Sequence, residues 1–220
     1  MNYTIQGAPA FGFVHIDLAP GESIITESDA MTSMHAELDM QPNLNGGLFK
    51  GLIRKFLGGE SLFINTYTNN TQGTLRLTLT QTFPGDVKLL EIKAGEKMYL
   101  QSGAFICSEP GVKMGLEWAG FNSWIGGEGL FRLSMSGEGK FMIGAYGGLV
   151  EKEINGELIV DTDHLVAYPK GFKIKTQLSG NIISSITSGE GFVMRITGQG
   201  KVILQTRSFS GLAKWINRNL

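Results

Sequence analysis

The stretch TLRLTLTQTF, residues 74–83, alternates Leu75, Leu77 and Leu79 with Arg76, Thr78 and Thr80. Side chains at period two lie on opposite faces of an extended chain, so this reads as a strand with one face in a core and the other in water. Two longer stretches carry the same signal. LFRLSMSGEGKFMIGAY (130–146) and GFVMRITGQGKVILQTR (191–207) each read as a hairpin, turning at Gly137-Glu138-Gly139 and at Gly198-Gln199-Gly200. PGD (84–86) and PKG (169–171) are further turns. The 220 residues hold 31 Gly and only 6 Pro, which suits many tight turns rather than an extended linker.

Two markers recur in the same order. A turn reads LAPGE (18–22), IKAGE (92–96) and INGE (154–157), with its Gly at 21, 95 and 156. A Gly-Glu pair then opens GGESLFINTY (58–67), GGEGLFRLSM (126–135) and SGEGFVMRIT (188–197), with its Gly at 59, 127 and 189. The expected fold is therefore all-β, with three tandem sandwich or jelly-roll-like half-barrel repeats in one pseudo-threefold body. The repeats span about 1–84, 85–149 and 150–207, followed by a helix at 208–220. Small β units expose edges when alone, so the three are expected to stack into a single domain.

Two segments break the β pattern. In GGLFKGLIRKFLGGE (46–60), Leu48, Phe49, Leu52, Ile53, Phe56 and Leu57 share one helical face, with Lys50, Arg54 and Lys55 elsewhere. An amphipathic helix is expected near 47–57, too short to stand alone in water. The corresponding segment before the second Gly-Glu pair, KMGLEWAGFNSWIGGE (113–128), contains Trp118, Phe121 and Trp124. The chain end SFSGLAKWINRNL (208–220) spaces Phe209, Leu212, Ala213, Ile216 and Leu220 for a second helix near 209–219, with Trp215 beside Lys214. These apolar and aromatic residues are the candidate contacts with another subunit or with an anionic membrane surface.

Charge argues against nucleic acid, since the formal net charge is −1. It is unevenly placed. Residues 1–49 hold six acids and no Lys or Arg, and residues 191–220 hold five cations and no acid. The two ends either interleave within one body or meet head to tail between subunits. No apolar run is long enough for a membrane span, and the first residues lack a secretory pattern. The single Cys107 excludes an internal disulfide and points to a cytoplasmic setting. Its neighbours are apolar, which suits a buried thiol rather than a nucleophile.

No catalytic pattern emerges. His15, His35 and His164 share no metal-ligand spacing, and the chain lacks a G-x-S-x-G elbow and a phosphate-binding loop. A cupin-like barrel that gathers the three histidines in a polar cavity is the alternative, and would make the protein a metal- or ligand-binding one. No metal or cofactor is expected, and no catalytic residue is assigned.

GGESLFINTYTN (58–69), GGEGLFRLSMSGEG (126–139), INGELIVDTDHLVAY (154–168) and ILQTRS (203–208) together resemble a bacterial family of unknown function. That family includes the fungal altered-inheritance-of-mitochondria proteins. The resemblance implies a triplicated fold like the tryptophan RNA-binding attenuation protein, a ring of subunits. It also implies a role at the mitochondrial inner membrane for the fungal relatives and no assigned activity for the bacterial ones. Basic residues at one repeated position, needed for an RNA rim, are missing. The expectation is a non-enzymatic, homo-oligomeric scaffold, a trimer being one arrangement, with an anionic membrane as a second partner.

Overall fold

The computed structural model describes residues 1–42, 64–101, 103–118, 131–178 and 192–218. Its strands are β1 (Asn2–Gln6), β2 (Phe13–Leu18), β3 (Ser23–Glu27), β4 (Met31–Met34), β5 (Asp39–Pro42), β6 (Ile64–Thr68), β7 (Leu75–Thr80), β8 (Val87–Ile92) and β9 (Lys97–Leu100). They continue as β10 (Phe105–Ser108), β11 (Val112–Trp118), β12 (Phe131–Gly137), β13 (Gly139–Gly144), β14 (Leu149–Asp161), β15 (Leu165–Pro169), β16 (Lys173–Leu178) and β17 (Phe192–Gln205). A 3-10 turn covers Thr162–His164, and one helix, α1 (Phe209–Arg218), closes the described chain.

Among the described residues the protein is all-β apart from that helix, and its strand pairs are antiparallel. One sheet runs β1-β2-β7-β4, a second β5-β6-β3-β10-β13-β8 and a third β11-β12-β9-β15-β17-β14, with β16 also on β17. The strand read from 74–83 is β7. Its Leu75, Leu77 and Leu79 are buried while Arg76 is exposed, so the alternation was a true face signal.

Three readings of glycine are corrected. Gly137-Glu138-Gly139 does not make a hairpin, because β12 pairs with β11 and β9 while β13 pairs with β10 and β8. The chain changes sheet there. Gly198-Gln199-Gly200 does not turn at all, since β17 runs through it from Phe192 to Gln205. The ring of Phe172 lies on these glycines. A Cβ at Gly198 would come within 2.7 Å of the ring, so the glycine serves close approach and not a bend. INGE is likewise no turn. It lies inside β14, with Gly156 opposite Gly198.

The other two copies of that marker are turns of one design. Ala19 and Lys93 donate their N–H groups to Glu22 Oε2 and Glu96 Oε2 at 2.8 and 2.9 Å. The Glu N–H groups donate back to the carbonyls of the same two residues at 3.1 and 2.9 Å. Gly21 and Gly95 supply the positive φ, 78° and 88°. Each turn carries the chain out of one sheet and into the next.

Three apolar clusters form the core, and each borrows side chains from a neighbour. The first is built on Val14, Ile16, Leu18, Leu77 and Leu79 and includes Ile106 and Met142 from β10 and β13. The second is built on Phe105, Leu133, Met135 and Phe141 and includes Val166 and Ile203 from β15 and β17. The third, around Ile154, Val160, Met194 and Ile196, includes Tyr99 from β9. Neighbouring sheets therefore stabilise one another, and Met142→Ala tests this directly. Removing that fully buried side chain should cost about 2–5 kcal/mol, read by urea denaturation as a lower midpoint in a single transition.

Candidate functional site

The segments that follow β7, β13 and β17 meet at one end of the body. Gln81 donates its side-chain amide to Ala145 O, and Tyr146 N–H donates to Gln205 Oε1 at 3.1 Å. Gly12 N–H donates to Gly85 O at 2.7 Å, and Asp86 N–H to Gly147 O at 2.8 Å. Gly148 N–H finds Thr206 Oγ1 at 2.8 Å. The ring of Phe83 lies between those of Tyr146 and Phe209, with centroids 6.0 and 5.0 Å away.

Beside this junction lies an open groove of about 330 Å³. Phe11, Phe13, Phe83 and Pro84 line it together with Thr32, Thr78, Thr80 and Gln81. Phe11 is 73% exposed, and Phe83 and Phe209 are exposed as well. α1 extends the apolar surface. Ser208 accepts the N–H of Gly211 at 3.1 Å, an N-cap that starts the helix, and Ser210 donates to the Asp163 carboxylate. Trp215 is 64% exposed and Ile216 is exposed too, with Lys214 and Arg207 close in sequence. Aromatic side chains with basic neighbours suit a boundary between an apolar and an anionic medium.

The polar clusters are mutually neutralised. On the outer face of the first sheet, Arg76 Nε and Nη2 donate to the two oxygens of Asp17 at 2.7 and 2.9 Å. These bonds hold the Asp17 carboxyl below the usual carboxylate range. Lys97 lies 2.7 Å from Glu117, and the Arg132 guanidinium stacks 3.6 Å from the centre of the Tyr99 ring. Arg132 Nη1 also donates to Tyr168 Oη at 2.8 Å. Glu151 sits between Lys201 and Lys88, 2.8 Å from each, and these bonds lower its pKa. Carboxylates paired in this way stay ionised at neutral pH, which suits structure better than proton transfer. Burial pushes the Cys107 thiol up, with Glu109 adding to the effect, so it holds its proton.

The three histidines keep separate partners. His15 Nδ1 is 2.9 Å from Thr78 Oγ1, His35 is 3.7 Å from Glu37, and His164 Nδ1 is 2.7 Å from Gln205 O. Among the described residues no group of three or more His, Cys, Asp or Glu is placed to hold a metal ion. Of the predicted contact residues, Trp215 stands exposed on α1 and Trp118 ends β11. Leu48, Phe49, Leu52, Ile53, Phe56, Leu57, Phe121 and Trp124 lie outside the described residues, as does the helix expected near 47–57. Sequence reasoning missed the groove. Its only signal was an aromatic beside Gly or Pro in AFGF (10–13) and TFPG (82–85), a pattern that turns also use.

Residues 3–207 match the family described as mitochondrial biogenesis AIM24. The chain belongs to that family. The match stops before α1. An uncharacterised protein of Streptococcus pyogenes serotype M6 is 28% identical over 230 residues, covering 100% of this chain and 91% of the relative. A crystal structure of a Streptococcus pyogenes protein, from a structural genomics consortium, superposes with a TM-score of 0.79 at 26% identity. That likeness covers 100% of this chain and 99% of the other. Among the described residues no helix is long and apolar enough to cross a membrane.

The cation pairing of Glu151 is open to titration. Because its folded pKa is lowered, its contribution to stability is present above the pKa of a free carboxyl and is lost as pH falls through the lowered folded value. Replacing both Lys88 and Lys201 by Gln should move the Glu151 carboxyl resonance upward in pH toward the free-carboxyl range. An unchanged NMR titration would show that the two lysines do not set it.

Proposed function

We propose that this protein is a binding scaffold rather than a catalyst, built from three related β units and acting through self-association at an anionic membrane surface. The triplication rests on strand pairing. β7 lies between β2 and β4, β13 between β8 and β10, and β17 between β14 and β15. In each trio the third strand carries an irregularity at one place, between Met31 and Ser33, Phe105 and Cys107, or Leu165 and Ala167. The buried residues Leu18, Ile92 and Ile154 hold matching register positions against β7, β13 and β17, opposite Leu75, Gly139 and Gly200.

The observation that carries the membrane contact is α1, which exposes Phe209, Trp215 and Ile216, with Arg207, Lys214 and Arg218 close by in sequence. Insertion of these side chains dominates, and each cation near an anionic surface adds about 1 kcal/mol. Co-sedimentation with phosphatidylserine–phosphatidylcholine vesicles tests the contact. Lys214→Glu should weaken binding by more than about fivefold, since a charge is reversed rather than removed. Ile216→Asp should abolish it and leave thermal stability nearly unchanged. Equal sedimentation of wild type and both variants would reject the membrane contact.

A further inference from the structure

We infer that copies of this chain join head to tail by strand addition, the outer edge of β4 in one copy taking the outer edge of β14, at Leu158–Asp161, in the next. This rests on the self-association proposed above and specifies its interface. The pairing already occurs twice within the chain. β10 takes β3 with Ser108 opposite Ile25 and Cys107 opposite Thr26. β15 takes β9 with Tyr168 opposite Tyr99 and Ala167 opposite Leu100. Ile25 and Tyr99 each stand four residues past the glycine of their turn, Gly21 and Gly95. The two junctions therefore share one register.

β4 has the same place in its own trio. Ser33 lies opposite Thr78 and Met34 opposite Leu77, as Cys107 lies opposite Met142 and Ser108 opposite Phe141. His35 N–H donates to Arg76 O at 2.9 Å, so by alternation the N–H and C=O of Met34 point away from β7. Yet β4 ends its sheet, and no described strand covers that edge. β14 is the matching donor. It ends the third sheet, and Val160 stands four residues past Gly156. Among the described residues each chain thus has one acceptor edge without a donor and one donor edge without an acceptor. Within one chain they do not pair, because they end different sheets.

Carrying the register over places Met34 opposite Val160 and Ser33 opposite Asp161. A second copy is the occupant that this shared register specifies. The contact is made edge to edge through backbone groups.

The test is directed disulfide formation. The Ser33–Asp161 pair would be the non-hydrogen-bonded one, where Cα atoms sit about 4.5 Å apart, within reach of a disulfide. Ser33→Cys and Asp161→Cys proteins, mixed and mildly oxidised, should give at least tenfold more covalent dimer than either alone. Cys107 is buried and stays out of the reaction. Adding Met34→Pro to the Ser33→Cys protein removes an outward N–H together with a side chain packed on the first cluster, so it is read against Met34→Ala, which removes that side chain alone; relative to the alanine variant it should cut the yield about tenfold.

Light scattering on the untreated protein separates the possible failures. A monomer at every concentration and at low salt overturns both this interface and self-association. An oligomer whose mixture gives no Ser33–Asp161 link overturns this interface alone. Cross-linking of Ser33→Cys with itself overturns it too, in favour of a twofold β4–β4 contact.

Discussion

The length of one turn governs how this chain is laid out. Between Leu18 and Ser23, and between Ile92 and Lys97, four residues with a left-handed glycine let the strand leave its sheet. Between Ile154 and Leu158 only three residues intervene, and the strand runs on. Side chains alternate along a strand, so one residue fewer also exchanges the faces. Ile24 is buried in the first cluster, while Ile159, equally placed three residues after its glycine, is 53% exposed. Val160 turns inward in its place.

The straight course of β14 is matched on β17, which pairs with it from Val193 to Gln205 without a break. Two long strands locked together over that length need the backbone at Gly156 and Gly198 to lie side by side. Phe172 then covers the glycine pair of β17 from one face. Earlier in the chain β2 and β3, and β8 and β9, are separate strands in different sheets, so each cluster is closed by the next strand group. Cooperativity follows from that sharing, because no cluster is complete without its neighbour's side chains.

Much of this was legible in the residues, and what was missed has a physical cause. β7 was readable because its two faces see different media. α1 was readable because its apolar spacing departs from period two and Ser208 caps it. Of the first set of markers, LAPGE and IKAGE make the same clamped turn and INGE makes none, while the second Gly-Glu pair, with its Gly at 59, 127 and 189, lies outside the described residues. Glycine-x-glycine was misread because a reversal of the chain and a close approach by Phe172 both call for a missing Cβ. Composition does not distinguish them. The junction of Phe83, Tyr146 and Phe209 was hidden because its rings come from sequence positions far apart, each beside its own turn.

The proposed repeats also differ where a neighbour is present or missing. Ile106 and Val166 occupy the irregularity of β10 and β15, and Met142 and Ile203 face them from β13 and β17, all buried in the preceding cluster. β4 and β7 carry Thr32 and Thr78 there. His15, Asp17 and Arg76 extend that polar outer face, bonded to one another or to Thr78. A face of this composition gains little from being covered by an apolar core, because each hydroxyl and charge would need a new partner. The contact proposed at this end is accordingly carried by backbone edge groups, which need no particular side chains.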